Sequence, residues 1–216
     1  MKSSKSLFAV VVSTLFVAAA ARAAHVDMSD PKRALGREDD VRIDAQLIQD
    51  TVTSGSPVGV TYQVENLSQK PIALADKVCD VTYDRDSRTI TISIGSEVPA
   101  NGEMPHLTTI AAGEKKTFRG GAILHVASPN VRSPFLSVPQ YVEIRVNVLR
   151  DLTAFAKLIG EQDTIAAPAQ LSDKQFDQWL DSNDTIFLNA LPVRYTAPRR
   201  GNLGDASERG AGAGTY

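Results

Sequence analysis

The stretch SPVGVTYQVENLSQKPI, residues Ser56 to Ile72, decides how this chain folds. Val58, Val60, Tyr62 and Val64 alternate with Gly59, Thr61, Gln63 and Glu65. Successive side chains of a strand point to opposite faces, so this period of two buries one face and leaves the other in water. Asn66 to Pro71 supplies turn residues, and Pro71-Ile-Ala-Leu74 opens a second apolar run. A half-buried strand, a polar turn and a return strand predict a sandwich of two antiparallel sheets.

Working outward, the same signal recurs. Val41, Ile43, Ala45 and Leu47 alternate with polar residues, and Thr53 to Pro57 is a turn by composition. Val78 to Tyr83 and Thr89 to Ile94 flank Asp84-Arg-Asp-Ser-Arg88, which reads as a hairpin. Gly95 to Leu107 and Pro129 to Pro139 are loops. Between them Thr117 and Phe118 lead past Gly120-Gly121, a pair that predicts a bulge or bend, toward Val126. Tyr141 to Leu149 is a strand with Val142, Ile144, Val146 and Val148 on one face.

The period then changes. Leu152, Phe155, Ala156 and Ile159 fall at helical spacing and stop at Gly160. Ser172 with Gln175 forms a capping-box pattern, flanked by Leu171 and Phe176 as a hydrophobic staple. Phe176, Trp179 and Leu180 follow on one face, which either plugs the sandwich or meets a partner. Thr185 to Leu191 closes the sheet, with Val193 and Tyr195 as a ragged extension. The expected organisation is a signal peptide (1–23), an extended leader (24–40), a sandwich domain (41–196) with a helical insertion at about 150–183, and a disordered tail (197–216).

Lys2 and Lys5 precede a 15-residue apolar run, Leu7 to Ala21, and Ala21-Arg22-Ala23 fits a cleavage site. The run is short of the ~20 residues that span a bilayer, so no stable membrane anchor is expected. Cleavage after Ala23 removes three basic residues and moves the net charge from −2 to −5, an acidic balance that gives nucleic acid no footing. Cys79 is the single cysteine, so no disulfide can form within the chain and packing must stabilise the exported fold. Its residue type suits a small buried apolar group; an intermolecular bridge or a reactive thiol is the other use.

The combination Gly55-Ser-Pro-Val-Gly-Val-Thr-Tyr-Gln-Val-Glu-Asn66, Lys70-Pro-Ile-Ala and Ala112-Gly-Glu-Lys-Lys-Thr-Phe118 resembles bacterial immunoglobulin-like modules of the adhesion-associated and proteinase-inhibitor-like groups. The resemblance covers roughly Val41 to Leu149 and implies a mainly β, immunoglobulin-like antiparallel β-sandwich, here with a helical insertion before the last strand. Its motifs are structural, a strand ending in Asn before a turn and an Ala-Gly-Glu turn before a strand, and they imply no activity.

No nucleophile elbow, phosphate loop, dinucleotide fingerprint or zinc-protease helix is present, and His25, His106 and His125 are the only histidines. Asp80, Asp84 and Asp86 beside Tyr83 could draw calcium, but Asp also serves hairpin turns through backbone hydrogen bonds. Were cleavage to fall after Ala24, His25 would become a terminal amine-imidazole chelate for copper, with His106 (near Met104) or His125 as the second ligand. Cleavage after Ala23 spoils that chelate. The sequons at Asn66 and Asn183 are read as chance.

The expectation is therefore an exported, non-catalytic domain without a cofactor, in the periplasm or outside the cell, binding an unidentified protein or envelope component. Phe176, Trp179, Met104, His106 and Phe135 form the candidate interaction surface, together with a sheet edge and the two long loops. Proteinase inhibition and copper binding are the alternatives.

Overall fold

Alternating valines and isoleucines become strands where the chain can hide one face of them. In the computed structural model of the chain, which describes residues 32–125, 138–164 and 167–196, these are β1 (Arg33–Glu38), β2 (Val41–Leu47), β3 (Thr51–Val52), β4 (Pro57–Asn66), β5 (Ile72–Leu74), β6 (Cys79–Asp84), β7 (Thr89–Ile94), β8 (Thr108–Ile110), β9 (Lys115–Ile123) and β10 (Tyr141–Leu149). Helices α1 (Ala156–Glu161) and α2 (Asp173–Ser182) come next, then β11 (Asn183–Phe187), β12 (Leu191–Pro192) and β13 (Arg194–Tyr195). The protein is mainly β.

One sheet has the order β1-β2-β4-β9, antiparallel throughout. A second has the order β6-β7-β10-β5-β8, with β11 and β12 also paired to β10. Val58, Val60, Tyr62 and Val64 of the first sheet share one buried cluster with Ile90, Ile92, Ile94, Val142, Ile144, Val146 and Val148 of the second. The opening stretch thus buries the face that its alternation marks. Each such side chain contributes about 1.5–3 kcal/mol when fully buried.

A second cluster sits on the opposite face of the second sheet. Phe155 and Trp179 from the helical insertion pack there with Ala73, Ala75, Met104, Leu107 and Leu149. Helices α1 and α2 precede three strands, β11, β12 and β13, rather than a single last one, and they cover the sheet's outward face at the Leu149 end.

Five expectations need correcting. First, Arg33–Glu38, expected as leader, is a strand: β1 pairs along β2, buries Ala34, and carries Arg33 onto the carboxylate of Asp44, which is 2 % exposed. Its inward positions are Ala34 and Gly36, too small to register as an apolar run. Second, Gly120-Gly121 makes no bulge, because β9 pairs with β4 in unbroken register from Pro57↔Ile123 to Glu65↔Lys115. The glycine is needed for proximity instead. A Cβ on Gly121 would lie 2.8 Å from the carbonyl oxygen of Val58.

Third, the pairing is not wholly antiparallel: β7 lies parallel to β10, and β3 parallel to β13. Fourth, Leu180 is 45 % exposed and does not share the buried face of Trp179. Fifth, the return strand β5 joins the second sheet rather than folding back on β4. The 197–216 tail, the 1–23 signal segment and the loop residues 129–137 lie outside the described residues.

Asn66 makes that crossing definite. Fully buried, its amide nitrogen donates to the carbonyls of Lys70 (2.8 Å), Ile110 (3.1 Å) and Ala111 (3.0 Å). Its side-chain oxygen accepts from the Ser68 backbone N–H (3.0 Å) and hydroxyl (2.7 Å). The Gly113 N–H donates to the Asn66 carbonyl at 2.8 Å, and Gly113 takes φ +71° to do so. The Asn-ended strand and the Ala-Gly-Glu turn are therefore one joint.

Candidate functional site

The helical insertion builds a pocket of about 430 Å³ against the Gly95–Leu107 loop, with Met104, Pro105, His106, Leu158, Pro168 and Ala169 in its wall. Its walls are braced. The Trp179 indole N–H donates to the carbonyls of Ser96 and Glu97, both at 3.2 Å, and the Trp179 ring meets Phe155 edge-on at 5.6 Å. Gln162 bonds both backbone groups of Leu107, accepting at 2.9 Å and donating at 2.8 Å. The Met104 N–H donates to Ala169 and the Leu171 N–H to Gly102. Helix α2 is held at its start by the capping box, in which the Ser172 N–H donates to Gln175 Oε1 at 3.0 Å and the Gln175 N–H to Ser172 Oγ.

The expected interaction surface separates. Trp179 and Met104, 1 % and 3 % exposed, are buried in the second cluster, with Met104 also in the pocket wall. Phe176 is half-buried. His106 lines the pocket, but its Nε2 lies 3.0 Å from Asp163 Oδ1, and its Nδ1 is buried without a partner among the described residues. His125 is exposed beyond β9. Phe135 and His25 lie outside the described residues. Among the described residues no group of three or more His, Cys, Asp or Glu is placed to hold a metal, and no helix is long and apolar enough to cross a membrane.

The acidic hairpin is used locally. Asp84 accepts from the Asp86 N–H (3.0 Å) and the Ser87 hydroxyl (2.7 Å), which hold its carboxyl below the usual carboxylate range. Cys79 lies partly buried against the main core, and burial pushes its thiol up, away from the reactive thiolate. A more polar pocket of about 570 Å³ includes Lys70, Arg150, Asp151, Asp181 and Asp184, but Arg150 is engaged by Asp184, Asp39 and the Glu38 carbonyl.

The outward faces of the two sheets differ. On the first sheet the side chains satisfy one another: Arg42 pairs with Asp44 (3.2 Å), Lys115 with Glu65 (3.2 Å), and the Gln63 amide donates to Thr117 (3.1 Å). On the second, strand register sets three rows beyond the helical cover. Asp84, Thr89 and Tyr141 form one row, Thr82, Thr91 and Glu143 the next, and Asp80, Ser93, Arg145 and Phe187 the third. Tyr141 is 45 % and Phe187 59 % exposed. The sequence reading passed over both. Their signal was available, since each aromatic occupies the polar parity of its strand, beside the inward Val142 and Ile186.

No protein-family model matches the chain, and neither a search of curated proteins nor one of solved structures finds a match.

Proposed function

We propose that this protein is an exported, non-catalytic immunoglobulin-like domain that binds a protein or an envelope component from the periplasm or cell exterior. The route of the chain carries this reading. β4 ends at the Asn66 joint and the chain crosses to β5 in the other sheet, while β2 gives way to β3, which runs beside the terminal β13. Strands that change sheets around one shared core characterise immunoglobulin-like sandwiches. The basic residues and apolar run before Ala23 support export. Apart from His106 Nδ1, the polar groups named around the braced pocket are engaged by backbone or by each other, which favours recognition over chemistry.

The test is capture from envelope extract on the immobilised mature chain. A specific component retained by folded but not heat-denatured protein supports the reading. Retention of nothing, or intrinsic turnover by the mature protein, overturns it.

Proteinase inhibition is the second reading, favoured by one observation. The carbonyls of Ser96 and Glu97 are fixed by Trp179 and Asn183, and Gly102 by Leu171, while Val98 between these anchors is 55 % exposed. That is a stiffened, accessible segment. Rapid cleavage there without inhibition would remove this reading. Copper binding, by a terminal His25 with His106 or His125, is removed if Ala24 is found as the mature N-terminus.

A further inference from the structure

We infer that the open half of the second sheet's outward face docks a neutral, extended glycan. This rests on the proposed reading of the protein as an exported binding module, and it names the class of component bound. Isolated exposed apolar side chains are ordinary on protein surfaces. Tyr141 and Phe187 are set apart by their arrangement.

Arg145 pairs directly with Phe187 across β10 and β11, and Tyr141 lies four residues earlier on the same face of β10. Strand geometry puts the two rings roughly 14 Å apart, about 13 Å along the strand and one strand across. The surface between and beside them is a plane of short hydroxyls, Thr82, Thr89, Thr91 and Ser93, with Glu143 and Asp80 as acceptors and Arg145 as donor. Arg145 Nε donates to Ser93 Oγ at 2.7 Å, which ties the guanidinium to the neighbouring strand. The side chains of Glu143, Asp80, Thr82 and Thr91 have no hydrogen-bond or ion-pair partner among the described residues.

This chemistry suits a polyol. A pyranose has an apolar C–H face that packs on an aromatic ring and an equator of hydroxyls that both donate and accept. Carboxylates, a guanidinium and threonine hydroxyls answer that mixture, and rigid aromatic rings give contact area at low entropic cost. The outward face of a sheet, broad rather than concave, suits an extended polymer rather than a small molecule, which needs a concave site. The rows hold three carboxylates and one guanidinium, so polyanions are repelled. The first sheet's outward face has ion pairs in place of exposed rings and is not the docking face.

The test is native affinity electrophoresis of the full chain through gels containing a soluble β-glucan, an α-glucan or a galactomannan, with dextran sulfate as the polyanion. At least one neutral polymer should retard the protein and dextran sulfate should not. Tyr141→Ala and Phe187→Ala should each weaken retardation about tenfold, Phe187→Tyr should retain it, and Thr117→Ala on the other face should leave it unchanged. Unaltered thermal melts of the exposed-site variants keep the comparison clean. No retardation by any neutral polymer, retardation by dextran sulfate alone, or retardation unchanged in Tyr141→Ala/Phe187→Ala overturns the inference. An envelope protein captured equally by that double variant would overturn it while leaving the wider binding function standing.

Discussion

Asn66 joins three segments with one side chain, and its removal should be felt in all of them. Asn66→Ala strands three carbonyls at a buried joint, a loss of about 2–4 kcal/mol that urea denaturation would report. An unchanged midpoint would mean that the joint is not structural. Tyr62 behaves in the opposite sense. Its hydroxyl is buried without a partner among the described residues, while its ring stacks on Phe118 at 5.3 Å. Tyr62→Phe should therefore hold or raise stability by up to about 1 kcal/mol, and a loss above that size would show that the hydroxyl has a partner.

Burial also raises the Tyr62 phenol above its ordinary 10.0 and the Cys79 thiol above its ordinary 9.0, so the folded state keeps both protons longer than the unfolded chain. Their contribution is complete below about pH 9 and declines as pH rises toward the folded values. Urea midpoints should fall above pH 9, the first part of the fall vanishing in Cys79→Ala and the later part in Tyr62→Phe. A flat profile would contradict this.

At the level of elements, the capping box and Trp179 do different work. Ser172→Ala should cost about 1 kcal/mol, because it removes a cap at the exposed start of α2. Trp179→Ala should cost about 3–5 kcal/mol, since it empties the second cluster and frees the Ser96 and Glu97 carbonyls. Hydrogen exchange would localise the second effect to α2 and the Gly95–Leu107 loop, leaving β4 protected. Uniform loss of protection would instead make the two clusters one cooperative unit. The capping pattern, the hairpin and the alternating strands were legible in the sequence because each depends on neighbours within a few residues. β1 was not. Its pairing depends on Arg33 meeting Asp44 and on Leu35 meeting Asn189, whose N–H donates to the Leu35 carbonyl at 3.1 Å.

For the whole molecule, β1 closes one edge of the sandwich. A chain beginning at Asp40 would leave β2 as a bare edge strand and Asp44 without Arg33. Concentration-dependent association, seen by light scattering, is the expected result, and a stable monomer would show that β1 is dispensable. The sequence by itself determined which residues face inward, where the period changes from two to helical, and that an apolar run precedes the domain. Hydrophobic alternation and caps are local, so one strand's residues suffice to state them. Only the tertiary structure decided which sheet each strand joins, that Trp179 and Met104 are buried in one cluster, and that Tyr141 and Phe187 share an outward face. Sheet partnership and burial are made by residues far apart along the chain, and no local pattern encodes which of them will meet.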